Sequence, residues 1–150
     1  MGTLKDRLTG DMRAAMKARD ETATGTLRMA LTAVRTAEVS GKQARELSDD
    51  EVLAVLTREA KKRREAAEAF ANAGRTEQAA QERAEEAILE RYLPAQLSDA
   101  ELAALVTRAL AVGGFAGRSA MGPAMKAAQA AVAGRAEGGR VAAEVRRQLG

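Results

Sequence analysis

Residues 48–94, SDDEVLAVLTREAKKRREAAEAFANAGRTEQAAQERAEEAILERYLP, decide the fold. They open with Ser48-Asp49-Asp50-Glu51, the spacing of a capping box. Ser48 caps the first turn and Glu51 reaches back to the Ser48 amide. Val52, Leu56, Ala60, Ala67 and Phe70 then line one face as far as Gly74. The pattern predicts a single helix of roughly 25 residues, about 38 Å long. A further helix runs from about Thr76 to Leu93, with Ile88, Leu89 and Tyr92 near its end and Pro94 as its stop. Two helices joined by no more than a Gly74-Arg75 turn predict an antiparallel hairpin.

Working outward, a first helix begins near Thr3, whose hydroxyl can cap while Asp6 favours the positive helix start. Leu4, Leu8, Met12, Ala15 and Met16 form its apolar stripe. A second helix, from about Asp20, carries Leu27, Ala30, Leu31, Val34 and Ala37 and ends before Gly41. Beyond Pro94, residues 95–97 read as a linker, and Ser98-Asp99-Ala100-Glu101 is a second capping box. It opens a helix with Leu102, Leu105, Val106, Ala109 and Leu110, closed by Gly113, Gly114 and Gly117. Met121, Met125, Ala128 and Val132 mark a sixth helix, which tolerates Pro123 only in its first turn. After a turn at residues 134–139, Val141, Val145 and Leu149 mark a last one. The expectation is all-α: a four-helix unit over residues 1–94, then a three-helix domain over 98–150.

Composition agrees. Of 150 residues, 46% are hydrophobic but only 2% aromatic, and 30% are charged. A core of Ala, Leu, Val and Met suits closely packed helices better than strands. The chain has no Cys and no His, which removes disulfides, thiol nucleophiles, Cys/His zinc sites and imidazole acid–base catalysis. No cofactor is implied. No apolar run approaches the 18–20 residues or so of a membrane span. Lys5, Asp6 and Arg7 do not resemble a signal peptide, and Asp6 spoils an N-myristoylation signal at Gly2. A cytoplasmic location is the expectation.

Charge is uneven. Residues 1–97 hold 17 Lys or Arg against 17 Asp or Glu, whereas residues 98–150 hold seven against four, so the whole excess of +3 lies in the last third. There Lys126, Arg135, Arg140, Arg146 and Arg147 are candidate contacts for a polyanion. The backbone amides near Gly134-Arg135 and at the start of the last helix favour phosphate as well. Three other constellations read more plainly. Glu82, Glu85, Glu86 and Glu90 lack the Glu-x-x-His pattern of helical di-metal sites and read as a solvated face. Lys61-Lys62-Arg63-Arg64 fans around its helix, so ion pairing is favoured over partner binding. Residues 113–119 have the wrong glycine spacing, and no preceding strand, for a phosphate loop; they read as a helix end.

Several of these residues carry a family resemblance. Thr26-Leu27-Arg28-Met29, then Lys61, Arg63, Arg64 and Glu65, then Gly74-Arg75, Tyr92-Leu93-Pro94 and Gln96-Leu97 resemble the GatB/YqeY-type proteins. In the last third, Met121-Gly122, Met125, Gly134-Arg135-Ala136 and Gly138 are similar to that family's Met-Gly-Lys-Val-Met and Gly-Arg-Ala-Asp-Gly signatures. The family motif falls on Gly122, Met125, Lys126, Gly134, Arg135 and Ala136. Pro123 stands in place of a Lys, and Glu137 in place of an Asp. The resemblance implies a helical bundle joined to a small domain similar to the tail of the B subunit of the glutamine-dependent tRNA amidotransferase, a tail that contacts tRNA. The carbon–nitrogen ligase label attached to such families needs glutamine-hydrolysing and ATP-activating sites that this composition does not supply. The expectation is therefore a non-catalytic tRNA-binding or tRNA-amidotransferase-associated protein. Its partners would be tRNA and a tRNA-dependent amidotransferase or other aminoacyl-tRNA machinery. The alternative is a helical module that binds another protein in its interhelical grooves, with Met121 and Met125 as adaptable contacts. An independent enzyme using Lys, Glu or Tyr92 ranks third.

Overall fold

The computed structural model describes residues 3–150. Met1 and Gly2, with the acylation dipeptide considered above, lie outside them. The described residues form seven α-helices and no strand: α1 (Leu4–Lys17), α2 (Glu21–Glu38), α3 (Asp49–Asn72), α4 (Thr76–Glu90), α5 (Asp99–Gly113), α6 (Met121–Val132) and α7 (Gly138–Leu149), with one 3-10 turn at Arg118–Ala120. No single helix among them is long and apolar enough to cross a membrane. The chain separates into two compact units, one ending at Leu93 and one beginning at Pro94.

In the first unit the helix starts follow the cap chemistry. Thr3 with Asp6, and Ser48 with Glu51, form reciprocal capping boxes, and Asp20 caps α2 by accepting from the Ala23 amide at 3.0 Å. α3 ends where Gly74 takes a φ of +76°, a conformation that favours glycine, and the chain turns directly into α4. The α3–α4 hairpin is the most extensive helix pairing in the molecule. The core of this unit gathers Leu8, Leu27, Ala30, Leu31, Val34, Val52, Leu56, Ala60 and Leu89 from all four helices. Thr26 is buried with them, and its hydroxyl is satisfied by the Thr22 carbonyl at 2.8 Å.

Nine of the 25 buried hydrophobics are alanines, as a core of closely packed helices requires, but none is a methionine. This corrects the expected Met contribution. Met12, Met121 and Met125 sit at the margins of the two cores, and Met16 and Met29 are about half exposed. Small residues let the helix axes approach, and Leu and Val side chains fill the remaining core positions.

Glu51 also shows how capping couples to pH. Its carboxylate pairs with Arg45 and accepts from the Ser48 amide at 3.1 Å, and these contacts pull it down to about 2. Because the folded value lies below the ordinary 4.5, the contribution is present above that value and disappears as pH falls toward 2. In acid titrations of stability, Glu51→Gln should be less stable than the parent at neutral pH. The difference should close between about pH 4.5 and 2. A gap independent of pH would show that the carboxylate's charge is irrelevant to the cap.

Candidate nucleic-acid interface

The second unit is organised around its connections. Ser98 and Glu101 form the predicted capping box at the start of α5. Its other end closes on Gly114 in the left-handed conformation, with Gly117 at φ +77° just beyond. The glycine-rich segment is therefore a helix terminator. Pro123 occupies the first turn of α6, where no intrahelical amide bond is lost. Leu97, Leu102, Val106, Leu110, Ala124, Ala128, Val132, Ala136, Val141 and Val145 make the core. Leu97 belongs to that core and not to a free linker: it is 6% exposed, and its amide donates to the Arg135 carbonyl at 2.7 Å.

The five candidate cations divide into two kinds. Lys126 on α6 and Arg146 on α7 are exposed, and no carboxylate or hydrogen-bond partner meets either side chain among the described residues. The other three are engaged. Arg140 donates to the Leu97 carbonyl at 3.0 Å and pairs with Asp99 at 2.9 Å, tying α7 to the start of α5. Arg147 pairs with Glu144, one turn away on its own helix. Half-buried Arg135 donates from Nε to the Val132 carbonyl at 3.4 Å. On α7, Arg146 and Arg147 are exposed, on the side away from buried Val141 and Val145, whereas Arg140 is half-buried against the start of α5.

The motif residues have structural reasons as well. Gly134 has a φ of +78° directly after Ala133 at +51°, and this reversal between α6 and α7 places Ala136 in the core. Gly122 is exposed with open space around it, while Met125 packs at the core margin. Glu137 precedes α7 without making a side-chain cap. Its longer side chain suits that position less well than the Asp it replaces.

The sequence model of the family described as Yqey-like protein matches residues 5–149. The chain belongs to that family. The match spans both units, so the Yqey-like character extends from α1 to α7 and is not confined to the basic tail. No curated protein matches this Yqey-like chain.

The first unit holds the remaining charged constellations, and one of them corrects an expectation. Glu82, Glu85 and Glu86 are not a solvated face. Their side chains are 22%, 18% and 14% exposed and turn toward α3. Arg63, itself 13% exposed, lies 3.2 Å from Glu85 and 3.8 Å from both Glu82 and Glu59, while Arg64 pairs with Glu86 at 2.8 Å. The antiparallel register brings these residues together, which neighbour counting along one helix does not reveal. All four residues of the basic run make ion pairs, as favoured above: Lys61 with Glu65 and Lys62 with Glu59 on their own helix, and Arg63 and Arg64 across to α4. Burial, reinforced by the charge of Glu85, raises the Glu82 carboxyl above its ordinary value despite Arg63. Among the described residues no group of three or more acidic side chains is placed to hold a metal ion.

Tyr92, the tyrosine weighed for catalysis, is held between charges. Its hydroxyl donates to Asp11, and the Arg7 guanidinium lies 4.6 Å from its ring centroid. Burial and the Asp11 carboxylate push the phenol above its usual range. Since it is the chain's sole tyrosine, absorbance of the phenolate reports it alone. Its titration midpoint should lie above 10 and fall in Asp11→Asn. A native midpoint at or below 10 would contradict the hydrogen bond.

Proposed function

We propose that this protein is a non-catalytic tRNA-binding protein that works beside a tRNA-dependent amidotransferase or related aminoacyl-tRNA machinery. The observation that carries the reading is the pair of exposed, unpartnered cations Lys126 and Arg146 in a unit whose charge excess is +3. Such side chains contact phosphates without breaking internal pairs, and releasing counterions from RNA supplies the affinity. Arg135 and the arginines of α7 add to the field. With Phe115 packed at the core margin and no other aromatic in this unit, recognition works through backbone shape and charge and not through base stacking. The similarity of the last third to the amidotransferase tail points to tRNA as the polyanion.

The five cations should separate by experiment. Lys126→Ala should weaken tRNA binding several-fold and leave thermal stability unchanged. Arg140→Ala should lower stability by about 1 kcal/mol, because the Leu97 carbonyl loses its charged donor. Equal effects of both variants on melting and on binding would remove the distinction.

A further inference from the structure

The first unit carries a feature that the proposed tRNA contacts do not use. α2 and α3 pack together over a short stretch and leave an open trough of about 780 Å³ between them. Its floor is small and apolar: Gly25, Met29, Ala33 and Ala37 from α2, with Val55 from α3. Its rim is basic. Arg28, Arg58 and Lys62 stand along it against Glu59 alone, whose carboxylate is held by Lys62 at 3.0 Å and Arg63 at 3.8 Å. Arg28 reaches only the Met16 sulfur, at 3.9 Å, and no carboxylate pairs with Arg58 among the described residues.

We propose that this trough seats an acidic amphipathic helix of a partner protein. Apolar side chains of that helix would lie on Met29, Ala33, Ala37 and Val55, and its Asp and Glu residues would face Arg28, Arg58 and Lys62. The shape fits such a ligand. The lining residues of α2 recur at intervals of three and four from Gly25 to Ala37, about 18 Å of helix, which matches just over three turns of a second helix laid alongside. Gly25, Ala33 and Ala37 give depth, and Met29, 47% exposed, is an adaptable apolar contact. The Thr32 hydroxyl donates to the Arg28 carbonyl of its own helix, and the Ser40 hydroxyl, just beyond α2, donates to the Ala37 carbonyl, so neither demands a polar ligand group. The floor has no aromatic on which a base could stack, which favours a peptide over a nucleic acid. Arg28 and Arg58, which no carboxylate pairs among the described residues, select acidic partners and steer their approach, and Lys62, held by Glu59, adds to the field.

The test is a selection of displayed random peptides of about 16 residues against the full chain, followed by affinity measurements on the selected peptides. Two variants accompany it: Thr32→Trp, which fills the trough from an exposed position, and the double reversal Arg28→Glu/Arg58→Glu. Circular dichroism establishes that both remain folded. The expected peptides are rich in Asp and Glu, carry apolar residues at i, i+3 or i+4 and i+7, and lose about tenfold or more in affinity with each variant. Failure to enrich any peptide, winners without an acidic excess, or affinities within about twofold of the parent in both variants would overturn the proposal. So would self-association abolished by Thr32→Trp, which would make the occupant a second copy. Loss of tRNA binding in Thr32→Trp would also overturn it, by making the trough an RNA site.

Discussion

Replacing Arg63 by alanine should lower the stability of the first unit by about 2–3 kcal/mol. The guanidinium is the shared counterion of Glu59, Glu82 and Glu85, all of them largely covered. Its removal leaves Glu82 and Glu85 without a cation to offset their desolvation, while Glu59 keeps Lys62 at 3.0 Å. A fully buried pair broken from one side loses about 3–5 kcal/mol, and partial exposure here reduces that figure. The sign of the pH dependence follows. Glu82 already binds its proton more tightly in the folded state than in the unfolded chain, so its ionised form opposes folding at neutral pH. Acidification through its raised value relieves the repulsion, and the deficit of Arg63→Ala should shrink as pH falls toward 4 or so. Glu82→Gln should be at least as stable as the parent at pH 7, with no advantage in acid. Urea unfolding of the three proteins at two pH values measures both effects. A deficit for Arg63→Ala below about 0.5 kcal/mol, or one that grows in acid, would show that the network is solvated.

Leu56→Ala should cost about 3 kcal/mol or more. Leu56 is completely buried in the first core, among Leu8, Val34, Val52 and Ala60. Many of its neighbours are alanines or β-branched residues, with little or no rotamer freedom to fill a cavity. The void therefore persists, which places the loss in the upper part of the usual range. Against a total stability of about 5–15 kcal/mol for a domain, that is a large share. The urea midpoint should fall with the slope unchanged. A loss under about 1 kcal/mol would mean that the core is loosely packed and collapses on demand.

The helices were legible because their signals are local. Ser48 with Glu51, and Ser98 with Glu101, announce helix starts within four residues, and Gly74 and Gly114 mark ends by requiring positive φ. Contacts across elements were not legible by the same means. Counting neighbours along α4 sends its glutamates to solvent. Reflecting the sequence about the Gly74-Arg75 turn sets residues 63 and 64 opposite 86 and 85, which brings both arginines beside both glutamates but pairs them in the reverse of the order found, Arg63 with Glu85 and Arg64 with Glu86. The engagement of Arg140 with Leu97 and Asp99, more than 40 residues away, has no local signature. Charge counting therefore treated it as equal to Lys126 and Arg146. The trough between α2 and α3 escaped notice because an interhelical gap depends on how two helices diverge, not on the pattern of either.

The most direct test of the proposed function is tRNA binding by fluorescence anisotropy over a salt series, comparing the parent with Lys126→Ala/Arg146→Ala and with Lys126→Ala/Arg135→Ala. The account predicts micromolar or tighter binding at about 50 mM salt, falling steeply as salt rises. Loss of two phosphate contacts should flatten the log–log slope of the first variant by between one and two or so, and the second variant should show a similar or smaller change. Absence of binding at low salt, or a slope that both variants leave unchanged, would contradict it.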